Sequence, residues 1–529
     1  MKKIVFLIIV SLLVIGLVLP GCDGGNGGNG GPTPPVIYTF ENDEVIIGII
    51  GDHGHTTGDF NYYGYLLGAG QINAMGGINI GGVAHNYSFV KIDTDEATDE
   101  TGITGAAALS AAISADNFDI LMGSYRTEAV EYYREVAMTA KKVFFDFGAA
   151  TEILCHSVLT NYNRYKYWFK GTPYNEHFLA MSVLRNINSV AVDLRVALNL
   201  SPGANLDAVI IAENLKWSKD EQEPKIKAGL AAMGITWKQS YFVSSLTSGD
   251  TLNALSDIVA KGYDPHIIIP VYSGYMGIAY DVGLQGYVAA NLTCAMSVGI
   301  NVMEQLKSPW GAGNLTNPPG LGGGPMSDHV ILDTWADGLN QTAKTGAFWS
   351  AFLGMIGEYP LYTAATYDGL FVLKECLEDV ATYNATTGVG ELVADDLIDW
   401  YEDPTNAEPT TTGTACLYPP WDGLTKYFGT EALNITQKTA IYGAGWTYHT
   451  YDWLIPPHTP HDVVYGPGYA TGVGAQWQWF GNATHGIWKK VGVWPRDLGV
   501  NLVDQYGDWN ITYAGTYPIV IPQYVIDHH

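Results

Sequence analysis

Residues 44–271 alternate short apolar runs with longer segments in which apolar residues recur every three or four positions. A short apolar run predicts a buried strand, and the longer spacing predicts a helix with one apolar face. In the first half of this region the predicted strands are 44–51, 87–92, 118–122 and 142–147, and the predicted helices are 62–72, 101–115 and 128–141. Because strands and helices alternate, we expect a parallel sheet covered by helices on both faces.

The same alternation restarts near residue 175 and predicts a second unit of similar size. Its predicted helices are 176–186, 224–233 and 251–261, and its predicted strands are 207–212, 236–243 and 266–271. Beyond it we predict a Gly/Pro-rich loop at 305–330, helices at 348–355 and 367–380, and antiparallel strands around 476–479 and 487–491. Two tandem α/β units predict two lobes and a cleft, since ligands bind beyond the carboxyl ends of parallel strands.

The first 35 residues have the pattern of an export signal. Lys2 and Lys3 precede about 16 apolar residues, which are fewer than the roughly 20 that span a bilayer. The run ends in Leu-Pro-Gly-Cys, which resembles a lipoprotein lipobox and implies a lipid on Cys22, followed by a flexible Gly/Asn/Pro tether. A cleaved signal with an incidental Cys22, or an uncleaved anchor, remains an alternative. Each version places the chain outside the cell.

Composition narrows the classes of partner. The 529 residues include 26 basic and 53 acidic side chains, a net charge of −27, so the basic surface that nucleic acids require is missing. The acidity suits an exposed extracellular surface, and a hydrophobic content of 47% excludes global disorder.

Cysteines and sequons add two open questions. Besides Cys22, four cysteines could form two disulfides, with Cys376–Cys416 preferred, or could be isolated buried thiols. Asn-x-Ser/Thr sequons indicate glycosylation and an archaeal or other glycosylating host. They begin at Asn86, Asn199, Asn291, Asn314, Asn340, Asn384, Asn434, Asn482 and Asn510.

Several short segments together resemble one family. The stretch 71–78, Q-I-N-A-M-G-G-I, is similar to the end of the first helix of type I periplasmic binding proteins, in the leucine/isoleucine/valine-binding branch that serves ABC importers. The segments 91–95, 122–128, 148–151 and 247–250 and the pairs Tyr359-Pro360 and Tyr367-Asp368 resemble later parts of the same pattern, in the same order. The resemblance covers roughly residues 44–380 and 461–525.

This resemblance implies an architecture. Two Rossmann-like lobes, each a parallel sheet flanked by helices, would be joined by a three-crossing hinge and would close on a small ligand. We expect a signal peptide at 1–21, a lipidated Cys22 with a linker to 43, lobe 1 at 44–165 plus 292–380, and lobe 2 at 166–291 plus 461–525. Residues 381–460 would be an insertion, followed by antiparallel tail strands.

The resemblance also implies ligand-binding residues. By position, Thr127, Ala149 and Thr151 would hold a ligand carboxylate at helix N-termini, although both threonines could instead cap their helices. Arg126 could pair with a second ligand carboxylate, or form a surface pair with Glu128 or another acid. Tyr272 and Tyr275 could line the cleft or serve only in packing.

Three features depart from the family or stay open. The loop 272–277 lacks the carboxylate that often receives a ligand ammonium, so an α-amino acid ligand is in doubt. Asp52, His53 and His55 are potential metal ligands, but three ligands within four residues give poor geometry, and we expect neither metal nor cofactor. The insertion carries Trp421, Trp446 and Trp453, which could bind a sugar or partner, or form a small extra core, which we favour.

These observations predict a lipid-anchored extracellular protein that captures a small polar solute for an ABC permease. An amino acid, a short peptide or a related carboxylate is the expected ligand. The alternative is a ligand-sensing or structural surface glycoprotein on the same fold. The sequence contains no G-x-S-x-G, H-E-x-x-H or P-loop motif, so we do not expect an enzyme.

Overall fold

The computed structural model describes residues 35–96, 99, 101–173, 175–307, 328–339, 344–402, 461, 472–481, 486–494 and 516–529. The signal segment with Cys22 lies outside these residues, as do Cys416 and the three tryptophans of the insertion. The predictions made for those residues therefore remain predictions.

The first lobe is built on a six-stranded sheet in the order β3-β4-β2-β5-β6-β7. All neighbours are parallel except β3 and β4, which form an antiparallel pair. The strands are β2 (Glu44–Gly51), β3 (Ile78–Ile80), β4 (Val83–Asp93), β5 (Ile120–Gly123), β6 (Phe144–Asp146) and β7 (Trp168–Lys170). The helices between them are α1 (Thr56–Ala74), α2 (Ile103–Ser114), α3 (Thr127–Thr139), α4 (Glu152–Thr160) and α5 (Tyr162–Tyr165).

Glycines inside α1 have a packing role. A Cβ on Gly64 would stand 2.2 Å from the carbonyl oxygen of Ala364, and one on Gly68 would stand 3.1 Å from Leu370. The glycines therefore let α1 lie against the segment that leads into and forms α11 (Thr366–Val380). Close backbone approach explains why a helix tolerates residues that lower its intrinsic stability.

The second lobe carries a seven-stranded sheet in the order β16-β15-β12-β11-β10-β8-β9. The strands from β12 to β9 are parallel, and the hairpin β15–β16 adds antiparallel at the β12 edge. Its strands are β8 (Leu206–Glu213), β9 (Ile235–Val243), β10 (Ile267–Tyr272), β11 (Met296–Asn301), β12 (Val330–Asp333), β15 (Val473–Gly481) and β16 (Gly486–Trp494). Its helices are α6 (Glu176–Ala197), α7 (Glu223–Leu230), α8 (Ser248–Ala260) and α9 (Met276–Ala289).

Strand pairing corrects the predicted lobe boundaries. Strand β7 falls in the range assigned to lobe 2 but pairs with β6 in the first sheet. Strands β11 and β12 fall in the range assigned to lobe 1 but extend the second sheet from β10. The physical reason is that the backbone groups of a parallel strand find their hydrogen-bond partners in the sheet that the strand joins, and this need not be the sheet of the lobe that precedes it in the sequence.

A third sheet, of three strands, shows that the predicted bounds of the flexible linker and of the insertion are wrong. Strand β1 (Ile37–Phe40) lies in the predicted flexible linker, yet it pairs antiparallel with β14 (Val389–Val393), which pairs with β13 (Thr382–Asn384). Phe40 and Leu392 are fully buried in this sheet. Helix α12 (Ala394–Glu402) follows β14, so the beginning of the predicted insertion is part of the folded core.

Within the described residues, the chain passes between the lobes at three places, as the resemblance implied. The first connection follows β7 at 171–173, the second leads from β12 towards α10 (Thr345–Ile356), and the third enters β15 at Gly472. His461 marks the lobe 1 end of the third, because its ring and carbonyl bond the backbone of β7. A terminal helix, α13 (Gln523–His528), completes the described chain. None of the described helices combines the length and apolar character needed to cross a bilayer.

Candidate functional site

A cavity of about 80 Å³ lies between the lobes, against all three connections. Pro173, Thr334 and Gly472 each come from a different connection, and all three line it. One water needs roughly 10–15 Å³ of such space, so the cavity holds several waters or one small solute. Because the hinge itself forms part of the wall, lobe movement and cavity occupancy are physically linked.

Hydrogen bonds between the lobes surround the cavity. The Tyr125 hydroxyl donates to the carbonyl of Ser273 at 2.7 Å, and the Thr56 and Tyr275 hydroxyls lie 2.7 Å apart. Thr151 donates to Glu221 at 2.8 Å across the same interface. The structure therefore represents the closed arrangement of the two lobes.

The lobe 1 wall is made where strands end and helices begin. Arg126 and Thr127 stand at the start of α3, directly after β5, and Gly148 and Ala150 lie between β6 and α4. The first backbone N–H groups of a helix have no partner within it and carry the positive end of its dipole. This wall therefore favours an anionic group.

Arg126 is buried, with 6% of its surface exposed. Its Nη1 donates to the carbonyl of Glu96 at 2.8 Å, and its own backbone N–H donates to the Glu96 carboxylate at 2.6 Å. Burial by itself would lower the pKa of the guanidinium, but Tyr125, Glu213 and Glu96 together raise it. The alternative of a surface pair with Glu128 or another acid is wrong, because Arg126 is buried at the cleft and the acid it faces there, Glu213, is buried too.

Lobe 2 holds a second buried charged group next to Ser273, which lines the cavity. Glu213 ends β8, and its Oε2 accepts from the N–H and hydroxyl of Ser273 at 2.9 and 2.7 Å. Burial raises the pKa of Glu213, and Arg126 opposes that rise. A Cβ on Gly274 would lie 3.3 Å from Arg126 Nη2 and 3.6 Å from Glu213 Oε1, so the two charges face each other across this glycine.

The remaining walls are mostly apolar. They consist of Leu179, Trp217, Ile300, Val302, Leu332 and Tyr362. Gln305 and Asp333 also line the cavity, but Asp333 is neutralised by Lys490 at 2.5 Å, with both side chains fully buried. The lining is thus mostly apolar, with the Arg126 guanidinium on the lobe 1 side and the Glu213 carboxylate near it, outside the lining.

Three polar atoms of the lining residues have no hydrogen-bond partner among the described residues. They are the donors Arg126 Nε and Trp217 Nε1 and the acceptor Gln305 Oε1. An unpaired buried polar group costs about 1–3 kcal/mol, so such groups are expected to find a partner in a bound molecule or in water. Two donors beside a helix N-terminus match the oxygens of a carboxylate.

The predicted carboxylate-binding residues divide into two groups. Thr127 lines the cavity, and its hydroxyl accepts the N–H of Ala150 at 3.2 Å. Ala149 is buried with its N–H donating to Asp146 and its carbonyl accepting from Lys170, so its backbone is already satisfied. Thr151 caps α4 by accepting the N–H of Ile153 at 3.3 Å, as the alternative interpretation of this residue proposed. Thr127 makes no such cap.

The two tyrosines lie in different surroundings. Tyr272 is fully buried in lobe 2, bonds the Thr251 hydroxyl at 3.2 Å and stacks on Tyr280. Its placement as a cleft wall is wrong, because its ring points into the core beside α8 and α9. Tyr275 lies at the mouth of the cleft, 45% exposed, where it contacts Thr56 of the other lobe.

The segment 52–55 is held by local bonds. His55 Nδ1 lies 3.0 Å from Asp52 Oδ1, and His53 Nε2 lies 2.9 Å from the carbonyl of Ile49. The two imidazoles therefore bond different partners, and they do not converge on one point with Asp52.

Sequence reasoning missed Trp217, Gln305 and Glu213. Trp217 lies in a π-helical turn, Lys216–Gln222, that contacts α3 of the other lobe. The only available signal was position, since both Glu213 and this turn follow a predicted strand of lobe 2. Gln305 follows β11, which was not predicted, so it carried no signal.

Comparisons with known proteins identify the fold. Neither a protein-family model nor a curated protein matches the sequence. Among solved structures, an ABC-transporter solute-binding protein from Rhodopseudomonas palustris BisB5, in complex with 3,4-dihydroxybenzoic acid, is similar at TM-score 0.51 and 14% identity, over 68% of this chain and 85% of that one.

Two further structures give lower scores. A leucine-, isoleucine-, valine-, threonine- and alanine-binding protein from Brucella ovis, in its closed conformation, is 17% identical over 68% of this chain and 82% of its own, at TM-score 0.49. LivJ from Streptococcus pneumoniae, in complex with isoleucine, is 16% identical over 68% and 89%, at TM-score 0.47. With the two sheets and three connections described above, the chain has the α/β fold of the type I solute-binding proteins.

Proposed function

We propose that this protein captures a small carboxylate with an apolar body for import by an ABC permease. The observation that carries the proposal is the interlobe cavity, in which Arg126 Nε and Trp217 Nε1 are unpartnered donors and most other lining side chains are apolar. A carboxylate would satisfy both donors, and the apolar body would fill the rest of the cavity. The volume of about 80 Å³ favours an amino acid or an aromatic or aliphatic acid over a peptide.

Within this proposal Arg126 and Thr127 are ligand-binding residues. Thr127 would position the ligand through its hydroxyl, and the start of α3 would supply the dipole. Tyr275 would act at the mouth of the cleft as a contact that forms on closure. Ala149 and Thr151 would support the wall from behind rather than bind the ligand.

The export signal completes the proposal. A lipid on Cys22 would hold the domain at the outer face of the cytoplasmic membrane, and the tether would raise its effective concentration near the permease. Mass spectrometry of the mature N-terminus tests this part. A diacylated Cys22 supports the lipid anchor, whereas an unmodified Cys22 or an intact Met1 contradicts it.

A thermal-shift screen tests solute capture. The panel should contain benzoate, 3,4-dihydroxybenzoate, leucine, isoleucine, short dicarboxylates, dipeptides and neutral sugars. The 3,4-dihydroxybenzoate is included because one protein of this fold was solved with it. A ligand at 100 times its Kd should stabilise the protein by about 2.7 kcal/mol. We expect a carboxylate to be the strongest stabiliser.

Two matched variants show where the ligand binds. Ala150→Leu adds three carbons at the cavity wall and should abolish the shift, whereas Ala290→Leu makes the same change at an exposed position and should not. If no compound in the panel stabilises the protein, the proposal fails and a structural surface glycoprotein becomes the better explanation. If the Ala150→Leu variant keeps the full shift, the binding site is elsewhere.

A further inference from the structure

Lobe 2 contains a buried cluster of three side chains that the cavity does not use. Asp281 comes from α9, Glu304 from the short 3₁₀ turn Val302–Gln305 after β11, and His329 from the residue before β12. Asp281 and Glu304 are fully buried and His329 is 3% exposed. One oxygen or nitrogen from each lies within 4.8 Å of the others.

The distances are long for a strong ion pair. His329 Nδ1 lies 3.6 Å from Asp281 Oδ1 and makes a long hydrogen bond of 3.3 Å with Glu304 Oε1. A charge-assisted hydrogen bond between an imidazolium and a carboxylate is shorter, about 2.7–2.9 Å. Two donors of a tetrahedral zinc site with bonds of about 2.0–2.2 Å stand roughly 3.3–3.6 Å apart. The observed spacing fits the edge of such a tetrahedron.

A second observation points to a missing ligand at the same place. Glu304 is fully buried, yet its Oε2 has no hydrogen-bond partner among the described residues. A cation held by Asp281, His329 and one oxygen of Glu304 would bring a water as its fourth ligand, and that water could donate to Glu304 Oε2.

The surroundings resemble the outer shell of a metal site. Asn301 Nδ2 donates to both oxygens of Asp281 at 3.1 and 3.2 Å and to Glu304 Oε1 at 3.0 Å. The side-chain Oδ1 of Asn301 in turn accepts the N–H of Met303 at 3.2 Å. Such bonds orient carboxylate ligands and are characteristic of the second shell of metal sites.

Charge balance is compatible with a divalent cation. Two carboxylates, a neutral imidazole and a divalent cation sum to zero, and among the described residues no Lys or Arg forms an ion pair with Asp281 or Glu304. Without a metal, burial and Glu304 raise the pKa of Asp281, so a protonated Asp281 beside an imidazolium also balances the charge. The donor spacing and the unpartnered oxygen of Glu304 therefore carry the argument for a metal.

We propose that Asp281, Glu304 and His329 form a zinc site that fixes the wall of the cavity. Binding releases the proton from His329 to solvent as the imidazole nitrogen takes the metal. Val302 and Gln305 line the cavity on the same turn as Glu304, so zinc would tie that turn to α9 and to the start of β12. This site stands independently of which solute the cavity accepts.

Metal analysis of the full chain tests the proposal. After removal of metal by EDTA and reloading with ZnCl₂, gel-filtered protein should retain one zinc per chain by plasma mass spectrometry. The exposed trio Asp264, His528 and His529 could also bind zinc, so His528→Gln/His529→Gln serves as the matched control. We expect this control to keep one equivalent and His329→Gln, made in the control background, to keep less than a tenth.

Cobalt provides a readout if His329→Gln does not fold. In the His528→Gln/His529→Gln background, one equivalent of Co²⁺ should give the visible absorption of a four-coordinate ion, and excess zinc should remove it. Glu304→Gln, which preserves the shape of the side chain, should weaken zinc binding at least tenfold. Retention of less than a tenth of an equivalent in the control background, or unchanged zinc affinity in Glu304→Gln, would overturn the proposal.

Discussion

Replacement of Arg126 by Met should open the cleft of the ligand-free protein. Arg126 in lobe 1 faces Glu213 in lobe 2 only when the lobes are closed. Met has a similar length but no charge, so the change removes the attraction while keeping most of the packing. The open state loses little, because there each group is hydrated separately.

The structure sets the size of the effect. Arg126 Nη2 and Glu213 Oε1 lie 3.3 and 3.6 Å from the position that a Cβ on Gly274 would take, so the two atoms are at most about 7 Å apart. Coulomb's law at an effective dielectric constant of about 20 gives about 2.4 kcal/mol at that separation. The ratio of open to closed protein should therefore rise roughly 60-fold.

Pulsed electron paramagnetic resonance measures this ratio directly. Spin labels on Tyr132→Cys in α3 and Leu246→Cys in lobe 2 report the distance between lobes, since both positions are more than half exposed. Cys22 and Cys416 are replaced by Ser. Cys155, Cys294 and Cys376 are buried and are retained.

A matched control and a double variant complete the experiment. Lys216→Met removes an interlobe ion pair with Glu131 that is about one-third exposed, and such pairs contribute only about 0–1 kcal/mol. It should therefore shift the distances far less than Arg126→Met. Glu213→Gln added to Arg126→Met should have little further effect, because the pair is already broken. Equal distance distributions in wild type and Arg126→Met, or additive effects in the double variant, would refute the reasoning.

Three further predictions concern closure, packing and pH. Tyr125→Phe should favour the open state by about 1 kcal/mol in the same spin-label assay, because the bond to the Ser273 carbonyl is lost; no change would contradict a role in closure. Gly148→Ala should lower stability in urea unfolding by about 1–3 kcal/mol, since its Cβ would meet the Tyr125 nitrogen at 2.4 Å, whereas Gly203→Ala, in open space, should stay within about 0.5 kcal/mol. Burial raises the pKa of the Glu221 carboxyl in the folded protein above its ordinary value of 4.5. The protonated carboxyl therefore stabilises the fold fully below that pH, and this stabilisation is lost as pH rises through the folded-state pKa. Glu221→Gln should flatten the fall in melting temperature between pH 5 and 8, and an unchanged slope would show that Glu221 does not titrate there.

The sequence predicted the β-α alternation well because each of those elements has its own periodicity. Strands β2, β8 and β10 and helices α8 and α11 appear within a few residues of their predicted bounds. Strand β11 was missed because Ser, Gly and Asn interrupt its apolar residues. Strand β12 was missed because it follows a Gly/Pro-rich segment. Strand β1 was missed because its partner, β14, lies about 350 residues away, and pairing at that distance leaves no local signal.

The sequence predicted residues of the candidate site correctly only on the lobe 1 side of the cavity. Arg126 and Thr127 were named through the resemblance to the binding-protein family, at the start of a helix that the local pattern predicts. The side of the sheet on which Tyr272 lies could not be predicted, because β10 is buried on both faces and shows no alternation. Trp217 and Gln305 reach the cavity through the packing of the lobes, which depends on contacts between distant segments.

Calorimetric titration with matched acids and amides tests the central claim most directly. Benzoate and benzamide, or whichever acid stabilises the protein most and its amide, have the same apolar body and differ in charge at one group. If the cavity captures a carboxylate through Arg126 and the start of α3, the acid should bind with one site per chain and the amide at least tenfold more weakly, and Ala150→Leu should bind neither. Equal affinity for acid and amide, or unchanged binding to Ala150→Leu, would contradict the account.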